Sequence, residues 1–180
     1  MTLEYALNKN GIKTEELNFD TSIDFASMAG AFIGGTGDYV SLFEPTASEI
    51  EEKGYGKIVA SVGKIGGEVP YTSFIAKKSY IKDNEKTIEK FTKAIQKGLD
   101  YVKSHTDKEV AEAIKDHFPD TNINKLKNII KKYRNIDAWK DTTYITEKEF
   151  DHIEEIIDNA KKLDEKAPYS KLVTTKYSKK

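Results

Sequence analysis

Cysteine is absent from this sequence of 180 residues, which removes disulfides, thiolate metal ligands, thiol nucleophiles and a lipid-modified cysteine. Arginine is nearly absent as well. Of 29 basic residues only Arg134 is one, whereas grips on phosphate, sulfonate or guanine usually recruit several planar guanidinium groups. Abundant lysine beside scarce arginine reads as the coding bias of an AT-rich genome. No apolar run approaches the length of a membrane-crossing helix, and Met1 opens an amphipathic pattern instead of a basic and then apolar leader. The chain is therefore expected to carry neither an export signal nor a lipobox of its own.

What the chain has in quantity is charge. Asp, Glu, Lys and Arg make up 33% of it and hydrophobic residues 38%, the balance of a soluble globular protein. Its length suffices for one ordinary domain or for two small lobes that share strands. The net charge of −1 hides a segregation: residues 1–75 carry 11 acids and 5 bases, residues 76–180 carry 19 and 24. The basic run from Lys77 to Lys103 is interleaved with Glu85, Glu89 and Asp100, so it reads as a solvated helix face, with no nucleic acid as partner.

Periodicity predicts a helix from Thr2 through Leu3, Ala6 and Leu7, stopped at Asn10 and Gly11. A strand follows in residues 17–23, then a short helix with Phe25, Met28, Ala29 and Phe32 on one face, closed by Gly34 and Gly35. "DYVSLF" reads as a strand, Pro45 as the first residue of a helix ending by Gly54 or Gly56, and "KIVASV" as a further strand. Alternating Thr72, Phe74 and Ala76 suggest one more. Helix and strand alternating through the first 75 residues argue for an α/β lobe with a parallel sheet. From Asn84 onward the pattern is helical. Ile88, Phe91, Ile95, Leu99 and Val102 form one stripe, Ile123, Leu126, Ile130 and Tyr133 another, and Phe150, Ile153, Ile157 and Ala160 a third. Thr106 with Glu109, and Thr146 with Glu149, have capping-box spacing, so the second half predicts four amphipathic helices, with only "KYSKK" frayed.

Catalytic and metal motifs are lacking. His105, His117 and His152 are far apart in sequence, and "HIEEI" lacks the second histidine of a zinc-binding H-E-x-x-H helix. "GGTG" has no P-loop lysine and precedes a strand, and "GKIGGE" opens no helix, so neither predicts phosphate or dinucleotide binding. What remains is position. Ligands of open α/β sheets sit where strands end and helices begin, and Phe43, Glu44 and Pro45 occupy such a junction. Glu44 has two readings of equal weight: a carboxylate stabilising a helix amino end, or an acceptor for the N–H groups of a ligand.

The stretches "MTLEYALNKNGI", "FASMAGAFIGGTGDYVSLFEPTASEI", "VASVGKIGGEVPYTSFIAKKSYI" and "APYSKLV" resemble, in that order, the NMT1/THI5-like solute-binding proteins of ABC importers for nitrate, sulfonates, taurine and thiamine-pyrimidine precursors. "GDYVSLFEPTAS" is the most specific of them. The resemblance implies an α/β, type II periplasmic-binding-protein-like fold, with two lobes closing on a solute. Residues 1–68 would be the second α/β lobe, 69–83 the crossover segment and 84–180 the helical C-terminal part of the first lobe. Its N-terminal half-lobe, and the export signal ahead of it, fall outside this chain. An exposed sheet edge facing that half-lobe would favour self-association.

Carried over residue by residue, the family's solute contacts would be Thr2, Ser41, Phe43, Glu44 and Tyr71. Trp139 and Tyr144 are candidates for the cleft rim, with a tryptophan packed on a helix as the other reading of Trp139. The implied function is solute capture without a cofactor and without chemistry on the ligand, for delivery to a membrane permease. It would take place at the outer face of the plasma membrane or in the periplasm. Two alternatives are an enzyme of thiamine-pyrimidine biosynthesis on the same fold, whose cysteine-rich and histidine-bearing motifs are missing here, and a ligand-sensing module. An acid at position 44 repels anions and suits an N–H donor, which favours a pyrimidine-like solute.

Overall fold

The computed structural model describes residues 1–178. Thr2–Lys9 forms α1, and its stop is built as the sequence predicts: Gly11 turns left-handed at φ +79° while the Ile12 N–H reaches back to the Leu7 carbonyl. Met28–Ile33 forms α2, and Thr46–Glu52 forms α3, which closes through Gly54 at φ +75°. Phe25 lies in the turn that precedes α2, outside the helix.

The α/β expectation is not confirmed, because no strand occurs among the described residues. A β-prone stretch becomes a strand only when a neighbour supplies its N–H and C=O partners, and the segments at 17–23, 38–43, 57–60 and 72–76 have none. They run as connections between helices with apolar side chains turned outward, Val59 at 74% and Ile75 at 95% exposure. The end of "KIVASV" is instead wound into α4 (Val62–Gly66), whose first turn is capped by the Ser61 hydroxyl accepting the Lys64 N–H at 3.3 Å. Lys78–Asp83 is likewise helical, as α5.

The second half matches its periodicity. Glu85–Ser104 is α6, Asp107–Ile114 is α7, Ile123–Asn135 is α8, Glu147–Asn159 is α9, and a short α10 covers Tyr169–Leu172. Both capping boxes are complete: Thr106 and Glu109 open α7, Thr146 and Glu149 open α9. Val110, Ala111, Leu126 and Ile130 form the buried cluster between α7 and α8, with Val102, Ile114, Ile123 and Trp139 packed around it. Burying one such side chain is worth about 1.5–3 kcal/mol, so this pairing is the firmest part of the molecule.

The tail expected to fray is docked as far as it is described: Lys176 pairs with Glu85 at 2.6 Å and the Ser178 hydroxyl donates to the Thr143 carbonyl at 3.1 Å. The last two residues of "KYSKK" lie outside the described residues.

The charge segregation has a structural counterpart. Acids of the first 75 residues meet lysines of the later helices at Glu44–Lys132 (2.9 Å), Glu52–Lys125 (2.8 Å) and Glu68–Lys140 (2.9 Å). α1 joins the same assembly, crossing α4 and lying on α9, where the Tyr5 hydroxyl donates to Glu155 at 3.0 Å. Gly66 permits the α1–α4 crossing: a Cβ there would stand 2.7 Å from the Thr2 methyl.

Candidate functional site

The loop that ends at Phe43 turns into α3 through a cis Glu44–Pro45 peptide. Pro45 caps the helix, and the Phe43 and Pro45 carbonyls accept the Ala47 and Glu49 N–H groups at 3.0 and 3.1 Å. This leaves the Glu44 side chain over the first turn. Its Oε2 accepts the Ser48 backbone N–H at 3.0 Å, one of the amides a helix start leaves without a partner. Its Oε1 accepts the Ser48 hydroxyl at 3.0 Å and the Lys132 ammonium at 2.9 Å. Lys132, on α8, also donates to the Ser48 hydroxyl at 2.8 Å, closing a triangle of three groups.

The Glu44 side chain is only 9% exposed, against 43% for Lys132. A carboxylate offers about four lone-pair positions and an ammonium three N–H groups. Three of the former and two of the latter are occupied, so the triad retains one acceptor position, on Oε2, and one donor. The helix-end reading of Glu44 is thereby realised in the structure, without exhausting its capacity to accept.

Next to the triad, Phe43 stands in a row of rings. Its centroid is 5.5 Å from Phe25 and 5.7 Å from Tyr71, both tilted against it, and all three rings are largely exposed. Such spacing and tilt are those of rings in contact with one another. Tyr133, beside Lys132, brings a phenol to the same place. Burial, more than any other influence, raises its pKa, helped by the nearby Glu44 carboxylate and Tyr71, while a hydrogen bond with the Glu44 backbone opposes the rise.

Of the residues expected to contact solute, the structure brings Phe43, Glu44 and Tyr71 together. Ser41 is half-buried on the same loop, two residues before Phe43. Thr2 belongs to the α1–α4 crossing, its methyl against Gly66. Trp139 packs on the α7–α8 cluster with its ring 5.7 Å from Tyr133, as the packing alternative held. Tyr144 interacts with Tyr169 near the start of α9. Lys132, Tyr133, Ser48 and Phe25 were not identified from the sequence as members of this group. Lys132 carried one usable signal, a basic residue in the basic half where the acidic half lacks a counter-charge.

Two of the three histidines bond to the backbone. His105 ends α6, its Nδ1 2.9 Å from the Tyr101 carbonyl, and His152 Nδ1 donates to the Glu68 carbonyl at 2.8 Å. Among the described residues no three His, Cys, Asp or Glu side chains converge as a metal site. A cavity of about 200 Å³ lined by Leu99, Val102 and Trp139 lies between α6 and the loop after α8. Its charges are already paired, Lys103 with Asp141, Arg134 with Asp107 and Lys140 with Glu68, so it offers a ligand no free ion.

A family model described as "NMT1/THI5 like" matches residues 1–109. "Putative binding protein YtlA" of Bacillus subtilis (strain 168) is 44% identical over 181 aligned residues, which cover 100% of this chain and 54% of that protein. The chain thus spans about half the length of that curated relative. No solved structure matches it.

Proposed function

The chain belongs to the NMT1/THI5-like family, and from that membership we propose that it is part of a solute-binding protein that captures a small planar solute on the aromatic row beside Glu44. The observation that carries this is the junction itself: Phe43 has the Phe25 ring at 5.5 Å and the Tyr71 ring at 5.7 Å, next to a carboxylate whose Oε2 accepts one hydrogen bond out of the two it can take. Rings hold a flat guest by stacking, and the triad reads its polar edge. Ser41, on the same loop, and Thr2, at the start of α1, are the further solute contacts of this reading.

The solute is a pyrimidine-like precursor of thiamine or a related heterocycle, because the Glu44–Lys132 pair presents a nearly neutral edge from which an anion gains nothing. Delivery is to the membrane permease of an ABC importer, from the outer face of the plasma membrane or the periplasm, and the chain performs no chemistry on the solute. In the family frame the strands of a type II periplasmic-binding-protein-like fold need partners. The unpaired stretches at 38–43 and 72–76 pair with the remainder of a full-length member or, without it, with a second copy of the chain.

A thermal-shift panel of aminopyrimidines, taurine and nitrate tests the solute class. At a hundredfold excess over Kd a true ligand stabilises by about 2.7 kcal/mol. Aminopyrimidines are expected to raise the unfolding temperature and Glu44→Gln to weaken that effect. Stabilisation by the anions, unchanged in Glu44→Gln, refutes the solute class. Size-exclusion chromatography tests the pairing: a well-behaved monomer with cooperative unfolding counts against self-association.

A further inference from the structure

Within the solute site proposed above, on which this step rests, we infer that Lys132 is a specificity-determining residue, and that the site reads a solute edge carrying one hydrogen-bond donor beside one acceptor. Lys132 spends two N–H groups on Glu44 Oε1 (2.9 Å) and the Ser48 hydroxyl (2.8 Å), leaving a third for the solute. Glu44 receives Ser48 N–H on Oε2 (3.0 Å) and two donors on Oε1, leaving one position on Oε2. Both vacancies belong to one triad and, under this inference, face the solute together.

The electrostatics agree with that pairing. Glu44 and Lys132 cancel each other's charge, so the edge they present is close to neutral overall, and neither a simple anion nor a simple cation gains from it. A ring nitrogen with a neighbouring amino group satisfies both vacancies at once, whereas a guest with only one kind of group leaves a partner unpaired, an outcome that sites of this kind discriminate against strongly. Lys132 also holds Glu44 in place: without the ammonium, the carboxylate keeps only its bonds to Ser48. Being on α8, Lys132 ties the solute edge to the α7–α8 core cluster, whose members Leu126 and Ile130 lie on the same helix.

The test measures binding of 4-aminopyrimidine (adjacent donor and acceptor), pyrimidine (acceptors only), aniline (donor only) and methanesulfonate to the full chain by titration calorimetry. The unaltered chain is expected to bind 4-aminopyrimidine at least tenfold more tightly than the other three. Lys132→Met should lower 4-aminopyrimidine affinity about tenfold and remove most of its advantage over aniline. Undiminished 4-aminopyrimidine binding by Lys132→Met overturns the role of Lys132 while leaving the solute site standing. Preference of the unaltered chain for methanesulfonate overturns the paired edge, and binding of none of the four compounds refutes the solute site and this inference with it. If Lys132→Met does not unfold cooperatively, Lys132→Gln replaces it in the same comparisons.

Discussion

Gly66→Ala is a sharp test of how α1 and α4 are joined, because local and tertiary terms oppose each other at that position. Replacing glycine in a helix gains up to about 1 kcal/mol of backbone propensity, and less at the last residue of so short a helix. Against this, the new Cβ would lie 2.7 Å from the Thr2 methyl, roughly an ångström inside ordinary contact. Thr2 is β-branched and stiff, so the helices must separate, and overpacking of this kind costs about 1–3 kcal/mol. The net expectation is a loss of about 1–2 kcal/mol, or roughly 2–8 °C in melting temperature for a chain of this length. Thr2→Ser deletes the offending methyl and keeps the hydroxyl. In that background Gly66→Ala should be neutral or slightly stabilising. Urea unfolding of the four proteins of this cycle gives a coupling energy, expected near 1 kcal/mol or above. Strict additivity, or stabilisation by Gly66→Ala with Thr2 intact, refutes the packing argument. The cycle also separates two roles for Thr2, since a solute contact through its hydroxyl survives Thr2→Ser.

Gly98, inside α6, has nothing within 4 Å of a Cβ, so Gly98→Ala should stabilise by about 0.5–1 kcal/mol in urea unfolding. Ile130, 1% exposed, should cost about 2–5 kcal/mol as Ile130→Ala, while Ile75→Ala at 95% exposure should fall within about 0.5 kcal/mol; a large Ile75 effect would mean that its surface is covered in solution. Burial opposes ionisation of Glu149, but the Thr146 amide and hydroxyl together with Lys140 outweigh it and hold its pKa below the ordinary glutamate value. Because the folded value is the depressed one, the stabilisation is complete above the unfolded value of about 4.3 and lost as pH falls through the folded value. Acid unfolding of Glu149→Gln should accordingly show a shallower pH dependence below about pH 4.3, and Thr146→Ala should cost about 1 kcal/mol at neutral pH.

The helices were legible because their signals are local. Thr106, Glu109, Thr146 and Glu149 specify two helix starts by spacing alone, and Gly11 a helix end, whatever lies elsewhere in the chain. Strands are not local in that sense. "DYVSLF" and "KIVASV" have the composition of strands, yet that composition describes a surface suited to a neighbour and does not supply one. Trp139 shows the same divide at the level of one side chain: its loop position leaves rim and core open, and the contact with the α7–α8 cluster decides for the core. Lys132 was hidden for a related reason, since a lysine three residues before the end of a basic helix looks solvated until its partner, 88 residues away in sequence, is in place.

The charge segregation, by contrast, was visible from the start and acquires a cause only in the fold. Acidic and basic halves that must pack together gain from being opposite, but exposed pairs are worth little each, in the range of about 0–1 kcal/mol. That range covers the exposed pairs and does not extend to Glu44 and Lys132. Glu52–Lys125 and Glu68–Lys140 leave their carboxylates open to water, with side chains 56% and 64% exposed, whereas Glu44 is 9% exposed and bonded through both oxygens. A helix start needs one acceptor for its amide, and an unpaired carboxylate or a serine would suffice. The addition of a lysine from a distant helix, beside a row of exposed rings, fixes the carboxylate beyond what capping α3 requires. Of the two readings of Glu44 that the sequence left level, its bonds to Ser48 realise the helix-end one, and under the proposed function the same bonds would hold the remaining Oε2 position still.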